Sequence, residues 1–305
     1  MNNKNHKKLY SQIEILKQRF PNLGISCNKT PMAELVEIFN TSTPPVMQFK
    51  PKTSADMTEL AMGIKKDTIS YTSFHLPSVR FDESTGLMER KNELIDILKI
   101  SSDELSLVTM HLGWKNANAI LDESGNFNNT DLSNIILNEL LDLFIAGLES
   151  NKIMTIENVR YRTPKYDFPE RFGDRPEHLI MTRNVIAEKI SQKISKPIDK
   201  ILSNIGYTFD VGHAVGNAHL SEQYTIETWL KALNKDIKIM HIHDMCPMKK
   251  DGVPIEKTHL ALGDGIIDWK SFFEMKNHYC PNIPMVLELI EEDIIKSIDY
   301  LSTLA

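Results

Sequence analysis

The chain has 305 residues, of which 41% are hydrophobic and 25% are charged, and its formal net charge is −6. This composition is typical of a globular protein, and no apolar stretch approaches the roughly 20 residues that span a bilayer, so we expect no membrane partner. The acidic charge disfavours nucleic acid as the partner, because dedicated DNA-binding domains usually carry a basic surface.

Cysteine usage and the N-terminus predict the compartment. Cys27, Cys246 and Cys280 are widely spaced and form no CxxC pair, which argues against a disulfide framework. Residues 1–8 are polar and basic, and no apolar signal core follows them. We therefore predict a reducing, cytoplasmic setting.

Strand-like and helix-like segments alternate along the whole chain. Residues 4–20 predict an amphipathic N-terminal helix that ends at Pro21. Apolar runs predict strands at 23–27, 45–50, 69–75, 105–111, 152–157, 206–210, 238–243 and 283–289. Helices are predicted at 30–40, 54–66, 86–100, 131–150, 177–194, 225–233 and 291–304. Thr30 with Pro31, and Asp131, are the predicted helix starts.

Eight strands, each followed by a helix or a helical connection, predict a parallel sheet. In a chain of this length the pattern favours a (β/α)₈ TIM barrel. The alternative is an open doubly wound sheet, which would want a glycine-rich first turn, and none follows Leu23. No linker divides the chain, so we expect one domain over residues 1–305, with residues 1–20 as its N-terminal helix.

Acidic residues and histidines end one predicted strand after another. They are His75, His111, Glu157, Asp210, His241 and Glu288. In a barrel the C-terminal strand ends meet at the active-site face, so these side chains are expected to converge. Because buried carboxylates and imidazoles are costly unless they are paired or bind a metal, the pattern predicts a metal site.

The predicted core of this site is Glu157, Asp210, His241 and Glu288. A carboxylate-rich set with one histidine favours Mn²⁺, Mg²⁺ or Co²⁺, and zinc also accepts such ligands. A second ion is an open alternative, with Glu157 as the bridge. His75, His111 and His213 would enlarge the site in that case, or would contact substrate or pack in the core.

Further polar and aromatic residues near the strand ends are candidates for substrate contact. His243 shares a strand face with His241, since strand side chains repeat every two residues, and it could face substrate or pack in the core. Arg160, in a loop of mixed charge, could neutralise a substrate phosphate or pair within its own loop. Trp114 could wall the pocket or serve only in aromatic packing. Gly263-Asp264-Gly265 is interpreted as a plain turn, because no P-loop lysine follows it.

At these residues the chain resembles the xylose-isomerase-like superfamily, over about residues 25–288. The motifs that carry the resemblance are Phe74-His75-Leu76-Pro77, His111-Leu112-Gly113, Ile156-Glu157-Asn158, Asp210-Val211-Gly212-His213, His241-Ile242-His243-Asp244, His259 with Leu262-Gly263-Asp264-Gly265, and Leu287-Glu288. Each motif is short, but their order, one per strand, is specific for the superfamily.

One branch of the superfamily resembles endonuclease IV, which cuts DNA at abasic sites with three zinc ions. The resemblance would add His259 to the metal ligands. That branch has an aspartate two residues before this histidine, where the chain has Lys257, and a tyrosine three residues after its first histidine, where the chain has Ser78. Both departures, with the acidic charge, disfavour DNA incision.

The sugar isomerase and epimerase branch is similar at residues 263–269. There the four core ligands would hold one divalent metal, with Glu157 and Glu288 as general base and acid around an enediolate. The histidines and Asp244 would order substrate hydroxyls. The resemblance thus implies a metal-dependent isomerase or epimerase of a sugar, sugar phosphate or polyol, with a zinc phosphodiesterase, a dehydratase or a non-catalytic binding protein as alternatives. Members of this scaffold often form homo-oligomers.

Overall fold

Strands and helices alternate in the structure much as the sequence predicts. The computed structural model describes residues 3–65, 70–113, 122, 127–160, 172–217, 224–250 and 253–304. The strands are β1 (Leu23–Cys27), β2 (Val46–Phe49), β3 (Tyr71–His75), β4 (Val79–Arg80), β5 (Leu107–Met110), β6 (Leu112–Gly113), β7 (Ile153–Glu157), β8 (Ile205–Asp210), β9 (Ile237–Ile242), β10 (Asp244–Lys250), β11 (Val253–Leu260) and β12 (Met285–Leu289). The helices are α1 (Asn3–Arg19), α2 (Met32–Ser42), α3 (Ser54–Gly63), α4 (Lys91–Ile100), α5 (Asp131–Glu149), α6 (Pro176–Ile194), α7 (Ile198–Leu202), α8 (Val211–Asn217), α9 (Ile226–Leu233), α10 (Trp269–Tyr279) and α11 (Glu291–Leu304).

Eight of these strands form a closed parallel barrel in the order β1-β12-β9-β8-β7-β5-β3-β2. The predicted (β/α)₈ TIM barrel is therefore confirmed, and each predicted barrel strand is present. Among the helices of the described ranges, none combines the length and the apolarity that a bilayer span requires.

Local side-chain hydrogen bonds fix where several helices begin. Thr53 and Asp56 form a capping box at the start of α3. The N-cap of α5 is Thr130, whose hydroxyl accepts from the Ser133 N–H, so Asp131 is the first helical residue and not the cap. Helix α2 likewise begins at Met32, one residue later than predicted, with Pro31 at the N-cap position.

The predicted helix 86–100 was wrong in its first turn, since α4 begins only at Lys91. Asp82 Oδ1 accepts hydrogen bonds from the backbone of Ser84 and Thr85, and this local turn competes with helix formation. Gly86 then adopts a φ of 71°, a left-handed conformation outside the helix.

The antiparallel hairpin of β10 and β11 was not predicted. It forms a separate two-stranded sheet that continues directly from barrel strand β9. Its sequence is charged and contains Pro247 and Pro254, which argue against a central strand but are tolerated in a hairpin where both strands are edges. Helices α7, α8 and α10 were also missed.

Side chains inside the barrel lie in layers. An apolar layer near the bottom is formed by Val46, Leu107, Ile239 and Val286, with Tyr71 and Ile153 packed against it. Above it lies a buried polar layer of Gln48, Thr109, Thr155 and Thr208, in which Thr208 Oγ1 lies 2.9 Å from Thr109 Oγ1 and 2.6 Å from Thr155 Oγ1. The residue two positions further along each strand reaches the barrel mouth.

Gly24 is required by close backbone packing in β1. A Cβ at this position would lie 1.6 Å from the carbonyl oxygen of Val46 on the neighbouring strand. We expect Gly24→Ala to lower the free energy of unfolding by about 3 kcal/mol or more, because only backbone movement can relieve the clash. Urea denaturation gives the measurement, with Ser26→Ala on the same strand as the control. Equal midpoints for the two variants would contradict the packing described.

Candidate metal centre

The polar residues at the barrel mouth occupy successive inward positions on the strands. Residues two beyond the buried polar layer are Lys50 after β2, His111 after β5, Glu157 at the end of β7 and Asp210 at the end of β8. His75, His241 and Glu288 reach the same level from β3, β9 and β12. The predicted convergence of these acids and histidines is thus observed.

The first group consists of Glu157, Asp210, His241 and Glu288, all buried, with potential ligand atoms within 4.8 Å of one another. His241 Nδ1 lies 3.0 Å from Glu157 Oε1, 3.2 Å from Glu288 Oε2 and 3.9 Å from Asp210 Oδ2. One imidazole nitrogen and three carboxylates around a single point form a donor set that suits a divalent ion.

The second group joins His75 and His111 to the other oxygen of Glu157. His75 Nε2 is 3.1 Å and His111 Nε2 is 2.8 Å from Glu157 Oε2. Despite this distance, His111 Nε2 makes no aligned hydrogen bond to a described group. Glu157 therefore offers one oxygen to each group, as expected of a bridging carboxylate.

His75 provides a test of whether a cation fits here. Its Nδ1 lies 2.6 Å from the carbonyl oxygen of Leu76, an acceptor, so Nδ1 must carry a proton. Its Nε2 faces the Glu157 carboxylate, a second acceptor. Burial lowers the pKa of His75, so the ring is neutral near pH 7 and has no proton left for Nε2. A metal ion between Nε2 and the carboxylate resolves the conflict, and chains that run from a carbonyl through a histidine to a metal are common in metal centres.

The third group, His213, His243 and His259, contains only imidazole donors. The rings of His243 and His259 stack with centroids 4.2 Å apart. His243 Nε2 lies 3.2 Å from Asp210 Oδ1, and the His259 backbone N–H donates to His243 Nδ1 at 3.1 Å. His243 Nδ1 also lies 3.1 Å from the carbonyl oxygen of Asp244, so both ring nitrogens have acceptors. Burial acts to lower the pKa of His243, but Asp210 raises it, so the ring can donate to Asp210 and orient that carboxylate.

Electrostatics in the mouth favour ionised carboxylates. Burial acts to raise the pKa of Glu157, but the neighbouring His111 and His241 outweigh it and hold this pKa well below its usual range. Similarly, His213 and His243 lower the pKa of Asp210 to about 2 against the effect of burial.

The pKa values of the imidazoles shift in opposite directions according to their partners. Burial would lower the pKa of His241, yet the carboxylates of Glu157 and Glu288 raise it to about 10. His213 has weaker carboxylate contacts, and burial lowers its pKa to about 4. His241 thus occupies the position of strongest negative potential, where a divalent cation would be favoured in place of a proton.

Asn158 positions two of the ligand strands. Its side-chain Nδ2 donates to the Asp210 carbonyl at 2.9 Å, and its Oδ1 accepts from the Asp210 N–H at 2.7 Å. The Asn158 carbonyl oxygen also lies 3.0 Å from His213 Nδ1. Asn158 therefore ties the ends of β7 and β8 together, a role that the sequence did not reveal although the residue lies in a quoted motif.

The predicted substrate contacts differ in their partners and in their exposure to solvent. Arg160 Nη1 donates to Thr258 Oγ1 at 3.1 Å and so joins the end of β7 to strand β11. His259 is more exposed, with 37% of its side chain accessible, and its Nε2 lies 3.6 Å from Glu288 Oε2. Trp114 lies outside the described residues.

Asp244 is fully buried, and its carboxylate is occupied by the protein itself. It accepts hydrogen bonds from the N–H groups of Met245, Gly263 and Ile267 and from the Trp269 indole N–H, at 2.8–3.2 Å. These contacts anchor residues 263–269 against the hairpin. We therefore assign Asp244 a structural role in place of the predicted substrate contact.

Lys50 was not among the predicted site residues. Its ammonium contacts Glu288 Oε1 at the barrel mouth. The signal that could have identified it is the same one that identified the ligands, since Lys50 directly follows a buried strand. The predicted metal site rests on acids and histidines, which are metal ligands, and a lysine is not one.

Comparisons with known proteins agree with this fold. Residues 190–304 match the family model described as xylose isomerase-like TIM barrel, which confirms the predicted resemblance in that stretch. No curated protein matches the chain in sequence.

Solved structures similar to the chain include epimerases. D-psicose 3-epimerase from Clostridium cellulolyticum is 9% identical, with 93% of this chain and 99% of that chain covered at a TM-score of 0.56. The apo form of 3-keto-D-glucoside 4-epimerase from E. coli is 12% identical, with coverages of 93% and 98% and a TM-score of 0.56. A protein from Thermus thermophilus, soaked with ZnCl₂, is 15% identical, with coverages of 93% and 98% and a TM-score of 0.54. At these identities the likeness concerns the fold.

The structural role of Asp244 can be tested. In Asp244→Asn an amide NH₂ would face N–H donors, so we expect the free energy of unfolding to fall by about 3 kcal/mol. Metal content per folded molecule should not change. Urea denaturation and metal analysis give the two measurements, with Asp264→Asn, on the exposed part of the same loop, as the control. Unchanged stability would return Asp244 to the candidate substrate contacts.

Proposed function

We propose that the protein is a divalent-metal-dependent isomerase or epimerase of a sugar, sugar phosphate or polyol. The observation that carries the proposal is the buried group of Glu157, Asp210, His241 and Glu288 at the C-terminal mouth of the barrel. The epimerase names among the similar structures support the same interpretation. We propose Mn²⁺ or Zn²⁺ as the ion, with Mg²⁺ or Co²⁺ as alternatives, and a cytoplasmic location.

Charge balance in the mouth suits a neutral substrate. Glu157, Asp210 and Glu288 contribute three negative charges and Lys50 one positive charge, so one divalent ion makes the group neutral. When bound, that ion would act as a Lewis acid on a substrate carbonyl and hydroxyl. A neutral, largely buried site binds an uncharged polyol without a further desolvation penalty for unpaired charge.

Two carboxylate oxygens are assigned to proton transfer. His241 Nδ1 lies near Glu157 Oε1 and Glu288 Oε2, so these two oxygens face the shared ligand point. The remaining oxygens, Glu157 Oε2 and Glu288 Oε1, are the candidates to remove and return a carbon-bound proton as base and acid. Return to the opposite face of the same carbon gives an epimer, and return to the neighbouring carbon gives an isomer. His111, with 28% of its side chain exposed, is positioned to contact a substrate hydroxyl.

Hydrogen exchange tests the proposed function. With Mn²⁺ or Zn²⁺ present, a panel of ketoses, aldoses and their phosphates should include a substrate that incorporates deuterium from solvent at carbon, as measured by mass spectrometry. Glu157→Gln should reduce the exchange at least about 100-fold, because the side chain loses a general base. Glu149→Gln, an exposed change at the end of α5, is the control. Absence of exchange across the panel in metal-loaded protein would reject the proposal.

A metal-dependent phosphodiesterase is the second candidate, and the protonation conflict at His75 favours it. That conflict calls for an ion beside Glu157 Oε2 in addition to the one near His241. Sites with two ions bridged by a carboxylate are common in phosphoester hydrolases. Two divalent ions would give the mouth a net positive charge, which suits an anionic phosphodiester. Lys257, exposed on β11, still stands where the endonuclease IV branch has its aspartate.

Metal stoichiometry separates the two candidates. For a two-ion centre we expect inductively coupled plasma mass spectrometry to find two zinc ions per chain, and His75→Gln to reduce this to one, because the second group loses a nitrogen ligand. His278→Gln, an exposed histidine on α10, is the control. A single ion per chain that survives His75→Gln would leave only the isomerase candidate.

A further inference from the structure

Lys50 is placed between a buried metal ligand and the open mouth. Its side chain is 27% exposed, whereas that of its partner Glu288 is 5% exposed. Gln48, two residues earlier, is fully buried and donates from Nε2 to Thr109 Oγ1 inside the barrel. The strand period therefore directs Lys50 into the mouth at the level of the ligands and not towards the outer helices.

Lys50 and His241 hold opposite oxygens of Glu288. His241 Nδ1 lies 3.2 Å from Oε2, while the Lys50 ammonium contacts Oε1. A cation next to Oε1 lowers the basicity of the same oxygen that the proposed function needs for proton transfer. A substrate oxygen that accepted the hydrogen bond of Lys50 would draw the ammonium away from Oε1 and restore the basicity of that oxygen.

We propose that Lys50 is a catalytic residue that donates a hydrogen bond to the substrate oxygen that becomes negatively charged in the enediolate. This inference rests on the proposed isomerase or epimerase function. A carboxylate removes the carbon-bound proton, the electron pair moves onto the carbonyl oxygen, and Lys50 keeps its own proton while it stabilises that oxygen. A carboxyl group then delivers a proton to carbon, so one carbon–hydrogen bond is broken, one is formed, and no further reactant is needed.

The competing role is that Lys50 only holds Glu288 in position for the metal. The two roles predict opposite changes in metal affinity. Removing a cation that lies beside a metal ligand increases the attraction for a divalent ion, whereas removing a required orienting group typically weakens metal binding 10–100-fold. Lys50→Met keeps the length of the stem and removes the charge.

The test uses the full chain and two titrations. Mn²⁺ is first titrated into metal-free protein by calorimetry, and acetohydroxamate is then titrated into the Mn²⁺-loaded protein. Acetohydroxamate is the probe because its planar pair of oxygens becomes anionic on metal binding, like an enediolate. Ethylene glycol, a neutral diol, is the comparison ligand. The variants are Lys50→Met, Lys50→Arg and the control Lys52→Met, which removes an exposed lysine two residues away.

If Lys50 is catalytic, we expect Lys50→Met to bind Mn²⁺ at least as tightly as the original chain does. The same variant should bind acetohydroxamate at least about tenfold more weakly, because a charge-assisted hydrogen bond to the ligand is lost. Lys50→Arg should recover most of that affinity, and ethylene glycol should be insensitive to all three changes. Weaker Mn²⁺ binding by Lys50→Met, or acetohydroxamate binding equal to that of Lys52→Met, would overturn the inference. Sugar hydrogen exchange is measured separately. If the original chain exchanges hydrogen but Lys50→Met binds acetohydroxamate normally, only this inference is rejected. If no sugar exchanges hydrogen, the proposed function itself is rejected.

Discussion

The concentration of buried negative charge at one end of the barrel is the constraint on which the rest of the site depends. Glu157, Asp210 and Glu288 are nearly inaccessible to water, and uncompensated carboxylates in such a place would cost several kcal/mol each. Compensation comes from Lys50 and from the backbone and imidazole contacts, and in the proposed function a divalent ion would complete it. The fold provides the place for this arrangement, and the site in turn requires polar side chains where a barrel core would otherwise be apolar.

The alternation of side chains along a strand converts the barrel into a layered structure. The lowest layer is apolar and built from branched residues such as Val46 and Ile239. The threonine layer above it satisfies its hydroxyls internally, for example between Thr155 and Thr208. Because each candidate ligand stands two residues beyond a buried residue of its own strand, the strand register that packs the core also fixes the distances between the candidate ligands. A one-residue slip of β7 would remove both Thr155 and Glu157 from the interior.

This periodicity explains why the barrel and the convergence of its ligands were predictable, since a polar residue that ends an apolar run is easily recognised in a sequence. The same pattern does not report what lies opposite each side chain. Four internal donors occupy the carboxylate of Asp244, whereas that of Glu288 faces the mouth. The hairpin of β10 and β11 was not predictable for a related reason, because its charged residues and prolines are typical of a loop and its pairing depends on the chain reversal between β10 and β11. That hairpin carries Thr258 and His259 back to the mouth, where Thr258 meets Arg160.

The two ring nitrogens of each histidine distinguish a metal ligand from a supporting residue in this centre. His75 has acceptors at both nitrogens, and burial lowers its pKa, so its single proton leaves one acceptor unmatched. His243 also has acceptors at both nitrogens, the Asp210 carboxylate and the Asp244 carbonyl oxygen, but Asp210 raises its pKa against burial, so a second proton can match the second acceptor. In the proposed centre, loss of His75 would therefore remove a ligand, whereas loss of His243 would free Asp210 to rotate. The partners of each ring and the direction in which they shift its pKa separate candidate ligands from supporting residues, which a count of nearby imidazoles does not do.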